Sequence, residues 1–178
     1  MRSPARLLVP LALICTLTGC ATPTPEPTPT PTGFATEDEA FAAAEATYRE
    51  YVDASNQVDF SDPATAEDVY AWLAGDALAA SREEFSAASA EGWTRNGSAE
   101  IVSMAPHMVA PPYEAMTIDA CVDISAVTVT DPSGDQVLPT EGIGIQSVRV
   151  SLARSFATST GLSITALSPR QDGPSCVE

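Results

Sequence analysis

Apolar and polar positions follow two periods along this chain, helical before Gly92 and alternating after it. Phe41, Ala44, Tyr48, Tyr51/Val52 and Ser55 recur at helical spacing and predict one amphipathic helix. Thr36-Glu37-Asp38-Glu39 in front of it reads as a capping box, with Thr36 as N-cap and Glu39 reaching back. Its acids also complement the helix dipole. Asp62-Pro63 is a second N-cap followed by proline at the first helical position. Ala66, Val69, Trp72/Leu73 and Ala77 then mark the inner face of a second helix, which Gly75 ends or bends. Ser81-Arg82-Glu83-Glu84 reads as another capping box, opening a third short helix through Phe85 and Ala88 that Gly92 stops.

Beyond Gly92 the period is two. Met116, Ile118, Ala120, Val122 and Ile124 alternate with Thr117, Asp119, Cys121 and Asp123, so the first set faces a core. The apolar parity shifts at Val127 and Val129, which predicts a bulge near Ser125-Ala126. Asp131-Pro132-Ser133-Gly134 is a turn with proline second. Further strands are expected at residues 99–104, at Val148-Val150-Leu152, and at Leu162-Ile164-Ala166 after a turn at Thr160-Gly161.

Helices first and strands after imply an α+β domain with the helices on one face of an antiparallel sheet. This order, with the segments EATYREYVDASNQVDFSDP, EGWTRNGS and CVDISAVTV, resembles the NTF2-like (SnoaL-like) superfamily over about residues 34–168. The segments are also similar to those of secreted actinobacterial lipoproteins. The resemblance implies N-terminal helices wrapped by a curved antiparallel sheet into a cone, often with a pocket inside. A plain helix-plus-meander α+β domain is the other arrangement this order allows.

The N-terminus is separate from that domain. Arg2 and Arg6 precede an apolar run from Leu7 to Thr16, too short for a span of ~20 residues. Leu17-Thr18-Gly19-Cys20 closes it and resembles the lipobox of bacterial lipoproteins, which implies acylation of Cys20 as the first mature residue. Ordinary signal-peptide cleavage leaving a free thiol is the competing reading. Residues 1–19 are thus expected to be a signal peptide. Residues 20–33 form a lipidated Pro/Thr-rich tether and 34–178 the domain. The alternating prolines of Thr22–Thr32 favour polyproline II, a semi-rigid stalk of roughly 35 Å. The expected location is the extracytoplasmic face of the cell membrane, with the lipid on Cys20 as the membrane partner.

The chain has 24 acids, eight arginines and no lysine. Loss of Arg2 and Arg6 leaves a mature net charge of −18. Such a surface disfavours nucleic acid and anionic lipid, so the acyl group rather than charge holds the membrane. Cys121 and Cys176 form an even pair in an oxidising compartment, which reads as a disulfide pinning the C-terminal tail; two buried free thiols are the alternative.

Without lysine there is no P-loop, Schiff base or Ser-x-x-Lys nucleophile, and one histidine excludes an HExxH zinc site. No GxSxG or GxGxxG occurs, and neither Asp-rich turn has EF-hand spacing. No metal, cofactor or catalytic residue is expected. His107 is expected in an exposed loop between residues 104 and 112, and Asp119 and Asp123 are expected to be solvated. Tyr48, Tyr51, Trp72 and Trp93 sit on or beside helix faces and are the pocket candidates, with plain core packing as the alternative. The expected function is a non-catalytic tethered module for an unidentified small ligand or cell-envelope protein. An isomerase or dehydratase-type enzyme with a pocket carboxylate and a purely protein-binding domain are the alternatives.

Overall fold

The structure is a computed structural model that describes residues 33–137, 144–170, 172–173 and 176. The signal peptide, Cys20 and the Pro/Thr tether lie outside the described residues. All described residues belong to one compact unit. Its elements are α1 (Glu37–Asn56), a 3-10 turn (Pro63–Ala66) running into α2 (Glu67–Tyr70), α3 (Gly75–Ala90), β1 (Thr94–Asn96), β2 (Glu100–Met108), β3 (Ala115–Asp123), β4 (Thr128–Thr130), β5 (Ile145–Arg154) and β6 (Leu162–Pro169). The architecture is α+β: the helices come first in the chain, and α1 and α3 pack on an antiparallel sheet ordered β2-β3-β5-β6. β1 and β4 form a separate two-stranded sheet.

The local signals for α1 act as the sequence implies. Thr36 is extended, and its hydroxyl accepts from the Glu39 N–H at 3.1 Å. Glu39 reaches one residue further back than a standard box, to the Ala35 N–H at 2.9 Å. Gly92, at φ +70°, ends α3 in a Schellman arrangement. The Trp93 N–H donates to Ala88 O and the Gly92 N–H to Ser89 O. The turn at residues 131–134 closes by Gly134 N–H to Asp131 O at 3.0 Å.

Ala40, Ala44, Tyr48 and Val52 of α1 pack with Met116, Ile118, Ala120 and Val122 of β3. Val150, Leu152, Leu162 and Ile164 complete this layer and are fully buried. Burial of each large side chain contributes ~1.5–3 kcal/mol. Side chains therefore fill the space between α1 and the four-stranded sheet.

Four expectations about the elements change. The second helix stops at Tyr70, because residues 72–74 pair with β6 instead. The Ile164 N–H donates to Trp72 O at 2.9 Å and the Ala74 N–H to Ile164 O at 2.8 Å. Gly75, at φ +54°, therefore opens α3 rather than ending a helix. α3 is continuous through residue 81, so Ser81 is a buried mid-helix residue and the second capping box does not form. No bulge forms at Ser125-Ala126. β3 ends at Asp123, whose carboxylate accepts the Ser125 N–H at 2.8 Å, and the chain turns into β4 to pair with β1. Finally, β2 runs on to Met108, so His107 lies on a strand and not in a loop. Pro106 is tolerated because β2 is an edge strand.

After β6 the chain crosses the outer face of the sheet. The Arg170 N–H donates to Ser147 O, and Cys176 is joined to Cys121 of β3 by a disulfide with Cα atoms 5.5 Å apart. Ser147, opposite Cys121 in the β3–β5 ladder, donates its hydroxyl to Cys176 Sγ at 2.9 Å.

Candidate functional site

A cleft of about 240 Å3 opens between α1, α3 and the two-stranded sheet. α1 supplies Tyr51 and Ser55, and α3 supplies Ser81, Glu84 and Phe85. Phe60 follows α1, Trp93 follows the Schellman stop of α3, Arg95 lies on β1, and Val127 and Val129 close the floor. The glycine stop thus decides where Trp93 stands. Phe85 packs against Phe60 at 6.1 Å and against Tyr70 at 6.0 Å between ring centroids. The Arg82 guanidinium lies over the Tyr70 ring at 5.3 Å.

Arg95 reaches from β1 to the end of α1. Its Nη2 donates to Asn56 Oδ1 at 3.2 Å and its Nη1 to Gly97 O at 3.1 Å. Asn56 is itself clamped, accepting from the Ala99 N–H at 2.8 Å and donating to Ala99 O at 3.0 Å. Gly97 has φ +79°, and a Cβ there would collide with the Ala126 carbonyl. Burial pulls the Arg95 guanidinium below its ordinary pKa. Burial raises the Tyr51 phenol; its link to Ser55 opposes that shift and the charge of Glu84 adds to it.

Of the four aromatic candidates, the structure brings Tyr51 and Trp93 together in this cleft. Tyr48 is not at the cleft surface: it is 3% exposed, stacks on Tyr51 at 5.8 Å, and its phenol is pushed far upward by burial. Trp72 lines a different hollow of about 550 Å3 with Glu50, Asp53, Asp68 and Thr158. The early end of α2 carries it there.

Asp119 departs most from the sequence reading. It is not solvated; its side chain is 11% exposed on the outer sheet face. Arg149 of β5, its register partner, grips it with two bonds of 2.8 and 3.1 Å. Arg170 of the tail and His107 of β2 stand 3.6 and 3.7 Å from its other oxygen. Arg149 also pairs with Asp172 at 2.8 Å. The Arg149 bond holds the Asp119 carboxyl below the usual range. The Asp59 and Asp123 carboxyls are also lowered, by hydrogen bonds from Ser61 and Ser125. These are stabilised carboxylates, the opposite of a raised general acid. Asp119 and Arg149 both occupy outward parities of their strands, but only the register places them opposite.

No protein-family pattern matches this chain, and no curated protein matches it. The structure is similar to that of VirB8 from Agrobacterium tumefaciens, with TM-score 0.41 and 13% identity over 77% of this chain and 96% of that one. It is also similar to a periplasmic fragment of TraM, with TM-score 0.39 and 12% identity over 77% of this chain and 98% of that one. Likeness of this size carries no argument about function, and the α+β class rests on the elements described above.

Proposed function

We propose that the protein is an extracytoplasmic lipoprotein, held by the lipid on Cys20, whose NTF2-like domain (34–178) binds a small ligand in the cleft beside Tyr51 and Trp93. Residues 1–19 are its signal peptide and 20–33 its tether. The observation that carries the binding role is the cleft itself: aromatic walls from Tyr51, Phe60, Phe85 and Trp93, with few polar groups at fixed positions. Small-molecule sites have this composition. The volume lies below the ~300 Å3 at which pockets for drug-sized ligands begin, so the ligand has one or two rings.

The test is titration of the mature chain, with Cys20→Ala to remove the acylation point, with the neutral two-ring probe 2-naphthamide. Saturable binding that Trp93→Ala abolishes is the expected result. Binding that leaves Trp93 unaffected would refute the cleft as the site. Mass spectrometry of the native N-terminus tests the anchor; an unmodified Cys20 would refute it.

A protein partner is the second reading. Val102 and Met108 on the edge strand β2 are 53% and 60% exposed, and Phe156 on the β5–β6 hairpin is 92% exposed.

A further inference from the structure

We propose that Arg95 is the anion anchor of the cleft, so that the ligand is a small apolar or aromatic monoanion such as a carboxylate. This deepens the reading of the cleft as a ligand site and rests on it. A guanidinium carries five N–H donors. Arg95 commits two of them, both to neutral acceptors, Gly97 O and Asn56 Oδ1. Among the described residues no carboxylate lies within ion-pair distance of it. Other arginines differ. Arg49 pairs with Glu45, and Arg149 and Arg170 with Asp119. Arg82 and Arg154 lie over aromatic rings. Arg95 is a half-buried cation that lines the cleft and keeps hydrogen-bonding capacity beyond its two bonds.

A partly desolvated charge without a counter-ion is costly, and a bound anion offsets that cost. The fork of Arg matches a planar carboxylate with two parallel bonds. The anchor is also held in place before any ligand arrives. Asn56 cannot swing away, because both ends of its amide are bonded to Ala99. Gly97 lies close to Ala126, whose carbonyl occupies the space that a Cβ would take. Preorganisation of this kind reduces the ordering cost of binding. Glu84 lines the same cleft, so the site is not uniformly positive. That carboxylate repels any anion in the cleft, so the single charge paired by Arg95 is favoured over a dianion. The apolar body of the ligand then lies against Phe85 and Trp93.

The test compares 2-naphthoate with 2-naphthamide, which share a shape and differ in charge. Both are titrated calorimetrically into the mature chain carrying Cys20→Ala and into its Arg95→Gln and Arg95→Lys variants. The expected result is naphthoate binding tighter than naphthamide by about 10- to 100-fold, the range for a charge-assisted hydrogen bond. Arg95→Gln removes that preference, because naphthoate loses far more affinity than naphthamide. Arg95→Lys keeps part of it, because the charge remains while the fork is lost. An unshifted melting temperature together with retained naphthamide binding shows that the variant cleft is folded. Equal affinity for the two probes in the parent chain would overturn the anion anchor while leaving the ligand site standing. Equal loss of both probes in Arg95→Gln at an unshifted melting temperature assigns Arg95 a contact that ignores ligand charge and likewise overturns it. Failure of both probes to bind the parent chain would overturn the ligand-site reading itself.

Discussion

Breaking the Cys121–Cys176 cross-link tests how the C-terminal tail stabilises the domain. The disulfide closes a loop of 55 residues and reaches over the outer sheet face to a buried position on β3. In the chain-entropy account, a loop of that length removes about 14 cal/mol/K from the unfolded ensemble, or about 4 kcal/mol at 25 °C. Typical domains have only ~5–15 kcal/mol in total, so this is a large share. At about 2–4 °C per kcal/mol for a domain near 150 residues, the melting temperature should fall by roughly 8–16 °C. The assay is urea unfolding at pH 7, followed by circular dichroism, of the oxidised protein and of Cys176→Ala and Cys121→Ala/Cys176→Ala. Both variants should lose a similar amount, because they share the missing cross-link. Both should also show a steeper urea dependence, since the unfolded chain can now expand fully. Neither variant removes the side chains of Asp119, Arg149 or Arg170, so the difference reports the cross-link together with the Ser147 contact to Cys176 Sγ. Variants within about 1 kcal/mol of the oxidised protein, with unchanged slope, would refute the reasoning.

Three further outcomes are expected. Gly97→Ala should destabilise by about 2–5 kcal/mol, from left-handed backbone plus displacement of the Ala126 carbonyl, and should lower probe affinity by moving Arg95; chemical denaturation and calorimetry check both. Leu152→Ala, at a position 1% exposed, should cost about 2–5 kcal/mol in urea unfolding without altering the preference for naphthoate over naphthamide. Asp119→Asn should be less stable than the parent at pH 7. Because the folded Asp119 carboxyl titrates below its ordinary value, its contribution is present above ~pH 4 and lost as pH falls through the lowered value. The two stability–pH curves should therefore converge below about pH 4, and a constant gap down to pH 2 would exclude this origin.

The sequence by itself determined what depends on neighbours within a few residues. Thr36 caps α1 because the Glu39 N–H is three residues away on the same turn. Gly92 ends α3 because that site needs positive φ. The strict alternation from Met116 to Val122 sets the inner face of β3, since side chains of a strand can only point two ways. Tertiary structure decided whatever depends on strands distant in the chain. Residues 72–74 could have continued a helix, but β6 offers them backbone partners 90 residues away, and that pairing ends α2, restarts the helix at Gly75 and moves Trp72 out of the cleft. His107 became a strand residue because β3 holds that edge. Asp119 exchanged water for Arg149 because a register, invisible in either strand alone, set them opposite. Tyr51 and Trp93 could be named from their helix faces, whereas Arg95 carried no local signal. Its environment is made by Asn56, Gly97 and β4, which only folding brings to one place.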